Sequence, residues 1–332
     1  MSAEFDLIAR YFTRPAKRAV LGVGDDCALI GLPEGRELAI STDTLVCGTH
    51  FFPDADPHAL GCKALAVNLS DLAAMGALPR YATLALTLPS IDAGWLDAFA
   101  RGLFEFAAAY DVELIGGDTT RGPLSFTLTV FGEVASGKAL RRDAARAGDD
   151  VWLSGRIGGA ALALAVAQGD ASVSSDAAGS AALRLHRPQP RVALGLRISG
   201  IAHAAIDVSD GLLADLGHIG ERSRLDAEID WPRVPVDAAL DGTAEALRRR
   251  CALTGGDDYE LCFTASLAER ARIEALNGIV DGVAITRIGR MVMASGPGGA
   301  VRVLDAAGRP VECGRRGYDH FTPTRESGRT CG

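Results

Sequence analysis

Apolar runs with strand spacing and longer segments with helical spacing follow one another along the chain. We predict a short strand in RAVLGVGDD, which runs into a glycine-rich turn, and further strands in ELAISTD, ATLALTLP and VELIGGD, with helical segments between them. The clearest helix begins at Asp56-Pro57, an N-cap residue followed by proline at the first helical position, and we expect it to end at Gly76. This alternation predicts α/β or α+β layers.

The composition changes near the middle of the chain. Residues 137–150, GKALRRDAARAGDD, are charged and rich in turn formers, as in a connection between domains. The length of 332 residues also exceeds that of a usual single hydrophobic core. We therefore predict an N-terminal domain over residues 1–138, a C-terminal domain over residues 149–322 and a flexible tail over residues 323–332.

A glycine turn follows the connection, where the strand VWLSG leads into RIGGAALALAVAQG. A glycine turn before a helix resembles a phosphate-binding turn, because the amides at a helix N-terminus attract anions. The segment lacks the spacing of a dinucleotide-binding fingerprint, so we predict that it is a packing device.

Composition and charge narrow the class of protein. With 48% hydrophobic and 23% charged residues, the chain is expected to be a soluble globular protein. A formal net charge of -8 argues against a nucleic-acid groove, which needs a clustered basic surface. No apolar run approaches the ~20 residues that span a bilayer, and MSAEFDLIARYF predicts an amphipathic helix, not a signal peptide. Seven cysteines without a CxxC pair indicate a reducing compartment, so we predict a cytoplasmic protein without nucleic-acid or membrane partners.

Aspartates recur after apolar runs and small residues. They are Asp25, Asp26, Asp43, Asp71, Asp118, Asp207, Asp210, Asp257 and Asp258. Taken singly, each is a turn or N-cap residue, and Asp210 could cap the helix that follows it. Taken together, several of them should meet where the strands of an α/β layer end. Carboxylates in contact repel one another unless a cation holds them.

A hard divalent cation is the simplest partner for such a group. These cations prefer oxygen ligands, and the hydroxyls of Ser41 and Thr42 suit them as well. The missing His and Cys spacing argues against zinc. Mg²⁺ commonly bridges carboxylates to phosphates, and the sequence contains neither a P-loop nor a kinase-type glycine-rich loop. A bound nucleotide would therefore be held by its phosphates mainly through metal ions.

Seven motifs, in this order, together resemble the thiamine-monophosphate kinase family. They are LGVGDDCAL, AISTDTLVCGTHF, KALAVNLSDLAAMGA, LIGGDTTRGPLS, AIDVSDGLLADLGHI, GGDDYELCF and GYDHF, and they span the chain from about Phe5 to Phe321. The resemblance implies a two-domain α/β fold like that of aminoimidazole ribonucleotide synthetase. It implies an N-terminal domain that binds ATP and Mg²⁺ and forms a homodimer. It also implies transfer of the ATP γ-phosphate to thiamine monophosphate, giving thiamine diphosphate.

The resemblance further implies roles for individual residues. The Mg²⁺ ligands would be Asp26, Ser41, Thr42, Asp43, Asp71, Asp118, Asp207 and Asp210. The ATP contacts would be Gly117, Asp118, Arg142 and Ser209. The thiamine substrate would be held by His50, Asp257 and Tyr318. The family often has glutamate at the position of Asp257, so the contact of the shorter carboxylate is expected to be rearranged or bridged by water.

Three of these residues also have a structural interpretation. His50, near a strand end, could be a hydrogen-bonding residue of the fold. Arg142 lies in the charged connection, where a solvated side chain is the ordinary case. Tyr318 could anchor the tail on the core, or its ring could cover the cationic thiazolium.

The residue types fit a direct transfer between two phosphates. A phosphate monoester, with a second pKa of ~6, is largely dianionic at neutral pH and needs no general base. Repulsion between two polyanions is the obstacle. Each unit-charge pair at ~4 Å costs about 1 kcal/mol in water and about 4 kcal/mol at an effective dielectric constant of 20. Several Mg²⁺ ions are therefore expected, and no phospho-enzyme.

Two other classes of protein stay open. One is another ATP-dependent synthetase of the same superfamily. A selenophosphate synthetase would need a reactive cysteine or selenocysteine near the N-terminus, and residues 1–20 contain no cysteine. A carbamoyl-carrying relative would use a C-terminal cysteine, and Cys331 lies in the tail-like ESGRTCG. The other class is a non-catalytic module that binds Mg²⁺ and nucleotide without turnover.

Overall fold

The computed structural model describes residues 6–313 and 317, which divide into two compact units. Among these residues, the first unit comprises 6–72 and 77–137, and the second comprises 73–76, 138–313 and 317. The charged connection seen in the sequence begins at this boundary. The functions assigned to the two predicted domains remain predictions.

Among its described residues, the first unit is built on four strands and two long helices. The strands are β1 (Arg36–Val46), β2 (Leu78–Leu88), β3 (Glu113–Arg121) and β4 (Ser125–Ala135), and the helices are α1 (Pro57–Ala74) and α2 (Ala93–Ala109). The sheet has the order β1-β4-β2-β3, so β1 and β3 are its two edges. β4 pairs antiparallel with β1 and β2, whereas β2 and β3 are parallel.

The start and end of α1 follow from local chemistry. The Asp56 carboxylate accepts hydrogen bonds from the amides of His58 (3.3 Å) and Ala59 (3.2 Å). Pro57 takes the first helical position, where no amide hydrogen is needed. Gly76 follows the helix with a φ of +64°, which glycine adopts without strain. The predicted bounds of this helix are therefore confirmed to within two residues.

Side chains alternate between the two faces of the first sheet. On one face Leu128 and Val130 of β4 are buried, and on the other Ile40 of β1 is 58% exposed. In the register of β1 with β4, Ser41 lies opposite Val130 and Asp43 lies opposite Leu128. The side chains of Ser41 and Asp43 therefore share the buried face.

The second unit is built on six strands and six helices among the residues that the structure describes. The strands are β5 (Asp150–Ser154), β6 (Ala204–Asp207), β7 (Leu225–Asp230), β8 (Leu261–Ala265), β9 (Ile285–Met293) and β10 (Val301–Leu304). The helices are α3 (Gly159–Ala167), α4 (Ser175–His186), α5 (Val192–Ile198), α6 (Leu212–Ser223), α7 (Glu245–Arg249) and α8 (Arg270–Glu274). The sheet has the order β10-β7-β9-β5-β8-β6. Buried aliphatic side chains such as Val151, Ile206, Leu216 and Ile288 form its core.

Both units mix strands and helices, as predicted, but three strand assignments need correction. RAVLGVGDD forms isolated bridges, such as that between Leu21 and Leu29, instead of a strand. ELAISTD and VELIGGD extend past their aspartates, so Asp43 lies inside β1 and Asp118 inside β3. Pairing with the neighbouring strands continues beyond both residues. The face of the strand, and not its end, therefore decides where these carboxylates point.

Part of the N-terminal segment is helical, as its amphipathic pattern predicted. Within the amphipathic N-terminal segment, Ile8–Phe12 is a short π-helix. Along the described part of the chain, every helix is too short or too polar to cross a membrane.

Cys47 is disulfide-bonded, which the expectation of a reducing compartment does not account for. The described free thiols are those of Cys27, Cys62, Cys251, Cys262 and Cys313.

Candidate functional site

In the first unit, predicted site residues join the edge strand β1 to helix α1. The Ser41 hydroxyl donates a hydrogen bond to Asp71 Oδ2 at 2.5 Å. Two residues further along β1, the backbone amide of Asp43 donates to Asn68 Oδ1 at 3.1 Å. Alternate strand residues share a face, and helix residues three apart share a side, so the two contacts lie next to each other. Ser41, Asp43 and Asp71, three predicted Mg²⁺ ligands, are thus brought together in what we call the β1–α1 group, with Asn68 as its fourth member.

Asn68 is the member of this group that sequence reasoning did not assign to the site. Its side chain is 1% exposed, and its Nδ2 donates to the Ala64 carbonyl at 2.9 Å. Its Oδ1 accepts the Asp43 amide, which points away from β4 at the edge of the sheet. Asn68 thereby supplies the partner that a further strand would otherwise supply. A signal was present, since Asn68 and Asp71 lie three residues apart on one helix face.

Thr42 lies on the opposite face of β1 from Ser41 and Asp43. Its hydroxyl contacts that of Thr129 on β4 at 2.9 Å. Side chains along a strand alternate with a period of two, so those of residues 41 and 42 cannot point to the same side. The Thr42 hydroxyl is therefore directed away from the side chains of Ser41 and Asp43.

His50 is held in the turn that follows β1. The amide of Val46 donates to His50 Nδ1 at 3.0 Å, and the amide of His50 donates to the Val46 carbonyl at 2.9 Å. A ring nitrogen that accepts a hydrogen bond carries no proton, so the proton of the neutral ring lies on Nε2. His50 therefore has the structural role that its position near a strand end predicted.

The other predicted residues of the first unit lie elsewhere in it. Gly117 and Asp118 are on β3, three inter-strand spacings from β1, or about 14 Å at ~4.8 Å each. Asp118 is exposed and borders a small cleft lined in part by Ile8 and Phe12. Asp26 lies in an exposed bend. Within residues 6–313 and 317, no three His, Cys, Asp or Glu side chains form a ready-made metal site.

In the second unit, Asp207, Ser209 and Asp210 lie on the turn between β6 and α6. Asp207 is the buried last residue of β6. The amides of Ser209, Asp210 and Gly211 donate to Asp215 Oδ2 at 3.0, 3.1 and 3.1 Å, respectively. The carboxylate at the start of this helix is therefore that of Asp215, and Asp210 does not cap the helix.

This turn concentrates negative charge. Burial raises the pKa of Asp215 well above its ordinary value, and the charges of Asp207 and Asp210 raise it further, against the lowering effect of the amide hydrogen bonds. Sequence reasoning missed Asp215, because nothing in SDGLLAD marks its carboxylate as pointing inward. Carboxylates that repel one another in this way offer hard oxygen ligands to a cation, which would relieve the repulsion.

Asp257 lies beside the same turn. Its amide donates to the Ser209 carbonyl at 2.8 Å, and the Tyr259 hydroxyl donates to its Oδ1 at 2.9 Å. Asp257 and Tyr259 have φ values of +68° and +51°, an uncommon conformation outside glycine. The carboxylate that replaces the glutamate common in the family is thus held by a tyrosine of its own loop.

The glycine turn that resembles a phosphate-binding turn is occupied by a side chain of the protein itself. Gly158, at the start of α3, donates its amide to both carboxylate oxygens of Asp258, each at 2.9 Å. Desolvation is the main reason why the pKa of Asp258 lies well above its ordinary value. An amide bound in this way fits the predicted packing role of the turn.

A buried ion pair involves Glu260, which ends the loop that carries Asp257 and Asp258. Arg191 donates through Nε to Glu260 Oε2 at 2.6 Å and through its terminal nitrogen to the other carboxylate oxygen. The Ser154 hydroxyl donates to the same carboxylate at 2.5 Å. The Glu260 carbonyl accepts the Val208 amide at 2.8 Å, which ties the loop to the turn after β6. Sequence reasoning missed this pair, because its partners are 69 residues apart.

The last two predicted site residues are Arg142 and Tyr318. Arg142 begins the single turn Arg142–Ala144, and its carbonyl accepts the Ser223 hydroxyl at 2.8 Å. Its side chain is exposed, as expected for the charged connection. Tyr318 lies outside the described residues.

Comparison with known proteins identifies the family. The N-terminal domain model of AIR synthase related protein matches residues 24–134, and the C-terminal domain model matches residues 146–309. Thiamine-monophosphate kinase of Escherichia coli (strain K12) is 48% identical over 323 residues, which cover 96% of this chain and 98% of that protein.

Solved structures agree with this result. The crystal structure of thiamine-monophosphate kinase from Stenotrophomonas maltophilia K279a is 47% identical, with a TM-score of 0.80, and covers 90% of this chain and 94% of that chain. The structure of AaThiL complexed with AMPPCP and TMP is 30% identical, with a TM-score of 0.75 and coverages of 88% and 89%. The predicted fold, like that of aminoimidazole ribonucleotide synthetase, is therefore confirmed. The chain belongs to the AIR synthase related proteins and, among them, to the thiamine-monophosphate kinase family.

Proposed function

We propose that this protein transfers the γ-phosphate of ATP directly to thiamine monophosphate, giving thiamine diphosphate. The observation that carries the proposal is the 48% identity with the Escherichia coli kinase over 98% of its length. AaThiL, which is 30% identical, is complexed with AMPPCP and TMP, a nucleotide analogue and a phosphorylated substrate. An acceptor phosphate that is already dianionic needs no general base, in keeping with a site built from aspartates.

Mg²⁺ is the cofactor that the acidic residues fit. The β1–α1 group offers hydroxyl and carboxylate oxygens held close together, with Ser41 and Asp71 2.5 Å apart. In the second unit, the turn after β6 holds its own cluster of mutually repelling carboxylates. When bound, Mg²⁺ supplies the positive charge that lets two phosphates approach for in-line transfer. The proposed ligands are Asp26, Ser41, Asp43, Asp71, Asp118, Asp207 and Asp210, without Thr42, whose hydroxyl contacts Thr129 on the opposite face of β1.

The remaining site residues are proposed to orient the two substrates. The ATP contacts are Gly117, Asp118, Arg142 and Ser209. His50 and Asp257, together with Tyr318, are proposed to hold the thiamine substrate. The Nε2–H of His50 can donate to an oxygen atom of that substrate, because Nδ1 is engaged by Val46. The negative charge of Asp257 suits the cationic thiazolium.

The proposal includes a homodimer formed through the first unit, which also binds ATP and Mg²⁺, and a cytoplasmic location. Leu38 and Ile40 on the open face of the first sheet are apolar and exposed, a surface that a second copy can cover. Sedimentation analysis tests the dimer. The free thiols of five described cysteines fit a reducing compartment, whereas the disulfide bond of Cys47 does not.

The test of the function is an assay with ATP, Mg²⁺ and thiamine monophosphate that follows thiamine diphosphate. We expect product that disappears when a chelator removes Mg²⁺. ATP binding without product would indicate the non-catalytic module, and ADP release without thiamine diphosphate would indicate another synthetase of the superfamily. Acid-quenched protein should carry no labelled γ-phosphate, and trapped label would contradict direct transfer.

Removal of the Ser41 hydroxyl is expected to cost more activity than removal of the Thr42 hydroxyl. Ser41 donates to the Asp71 carboxylate, whereas Thr42 contacts Thr129 on the opposite face. A hydrogen bond to a charged group contributes about 1.5–3 kcal/mol and a neutral one about 1 kcal/mol. We therefore expect a loss in kcat/KM of about 10- to 100-fold for Ser41→Ala and about fivefold or less for Thr42→Val.

Steady-state kinetics at varied Mg²⁺ concentration measure this difference. Each variant is the control for the other, because both lose one hydroxyl group from the same strand. Equal losses, with equal shifts in the Mg²⁺ dependence, would contradict the separation of the two side chains onto opposite faces.

A further inference from the structure

The carboxylate of Asp215 organises the turn that carries three proposed site residues. One oxygen, Oδ2, accepts the amides of Ser209, Asp210 and Gly211. Asp215 is 3% exposed and lies on the first turn of α6, so the packing of that helix determines its position. Three consecutive amides directed at one buried atom leave the backbone of the turn little freedom.

The turn is also held from its other side. The Asp257 amide donates to the Ser209 carbonyl at 2.8 Å. A Cβ atom added to Gly256 would lie 2.2 Å from the same carbonyl oxygen, so the two backbones are in direct contact. A change at Asp215 would therefore move Ser209 and Asp210 relative to the Asp257 loop.

Because Asp215 binds its amides, the turn after β6 cannot use them to bind a phosphate. A turn before a helix commonly binds a phosphate through its amides. Here the amides of residues 209–211 already converge on Asp215 and are not available to a ligand. Ser209 and Asp210 must then act through their side chains, and their effect depends on the direction in which the turn presents them.

We propose, on the basis of the function proposed above, that Asp215 is the positioning residue for the part of the Mg²⁺–nucleotide site formed by Asp207, Ser209 and Asp210. It acts through the backbone of the turn and does not touch the ligand. This role requires an acceptor oxygen more than a negative charge. Asparagine can present its Oδ1 to the same amides, whereas alanine cannot.

Asp226 provides a matched control in the same unit. It is 2% exposed and accepts the amides of Ser295 at 3.3 Å and Ala300 at 3.1 Å. It lies on β7, which is four strands away from β6 in the sheet. Asp226→Ala therefore removes a buried carboxylate with amide partners without altering the turn after β6.

The experiment compares Asp215→Ala, Asp215→Asn, Asp226→Ala and Asp226→Asn with the wild type. Thermal unfolding measures stability, and amide hydrogen exchange of residues 208–213 measures the order of the turn without ligand. Calorimetry with Mg²⁺ and a non-hydrolysable ATP analogue measures binding.

We expect Asp215→Ala to accelerate exchange in the turn and to weaken binding by about 10- to 100-fold, which is the typical cost in metal affinity of losing a residue that orients the ligands. Asp226→Ala should lower thermal stability by a similar amount. It should neither accelerate exchange in the turn nor weaken binding. Asp215→Asn should bind within about threefold of the wild type, because the amide hydrogen bonds are kept. Asp226→Asn is the corresponding control.

Equal weakening by Asp215→Ala and Asp226→Ala would reduce Asp215 to a structural role and overturn the proposal. An Asp215→Asn variant as impaired as Asp215→Ala would overturn it as well. If Asp215→Ala does not fold, Asp215→Asn decides: slow exchange and near-normal binding support the proposal, and weak binding by a folded protein refutes it. Thiamine diphosphate formation is followed separately. Wild-type protein without product, but with these binding differences intact, would refute the proposed kinase activity and leave the positioning role standing.

Discussion

Asp43→Asn is expected to lower the rate of thiamine diphosphate formation by about 10³-fold in a protein that stays folded. The side chain lies on the buried face of β1, two residues from Ser41, which bonds Asp71. Loss of a metal ligand removes several kcal/mol of transition-state stabilisation, and each ~1.4 kcal/mol is tenfold in rate. The backbone amide that bonds Asn68 is unchanged by the substitution, so β1 keeps this contact with α1. Steady-state kinetics measures the rate of thiamine diphosphate formation, and circular dichroism shows whether the variant is folded.

Asp97→Asn is the matched control for this substitution. Asp97 is an exposed carboxylate of the same unit, paired on α2 with Arg101 at 2.6 Å. Exposed ion pairs contribute about 0–1 kcal/mol, so rate and stability should stay near those of the wild type. If the rate of Asp43→Asn were within about tenfold of that of Asp97→Asn, the assignment of Asp43 as a metal ligand would be untenable.

Gly117→Ala is expected to destabilise the first unit by about 3–5 kcal/mol. The φ of Gly117 is +154°, and an added Cβ would lie 1.9 Å from the Leu84 carbonyl oxygen and 3.0 Å from the Leu84 nitrogen. Both atoms belong to the backbone of β2, so no side chain can move aside and the parallel pair of β2 with β3 must separate. Gly117 is also a proposed ATP contact, but this steric conflict exists without any ligand. Urea unfolding of the ligand-free protein measures it.

The neighbouring glycine supplies the control. A Cβ on Gly116 would have the Thr83 methyl group as its nearest neighbour, at an ordinary contact distance of 3.7 Å. Gly116→Ala should therefore change stability by less than about 1 kcal/mol. Equal urea midpoints for the two variants, with ATP binding lost only in Gly117→Ala, would show that the glycine serves ligand approach and not strand packing.

Residues whose neighbours in the chain decide their conformation could be interpreted from the sequence. Asp56, Pro57 and Gly76 mark the ends of α1 through capping, a fixed φ and a positive φ, all of which are local effects. The alternation of strands and helices predicted the fold class for the same reason. The motifs of the thiamine-monophosphate kinase family then supplied the fold and the proposed activity.

Other features depend on which segments meet in space. The oxygen-rich triplet at residues 41–43 offered three consecutive candidate metal ligands, but pairing of β1 with β4 continues through it and directs Thr42 to the other face. Glu260 stands in a recognised motif, yet its partner Arg191 is 69 residues away. No local pattern shows either fact, because strand register and side-chain pairing are set by long-range packing.

The sequence by itself determined that acidic side chains and hydroxyls are concentrated at a few points of an α/β chain, because residue types and their spacing are local properties. It could not tell which of them carry ligands and which hold the others in place. The tertiary structure placed Ser41 and Asp43 against Asn68 and Asp71, and it placed Asp215 beneath the turn of residues 209–211. Only folding decides which carboxylates carry ligands and which hold the others in place. A buried carboxylate acquires its amide partners when the helix that carries it packs on the core.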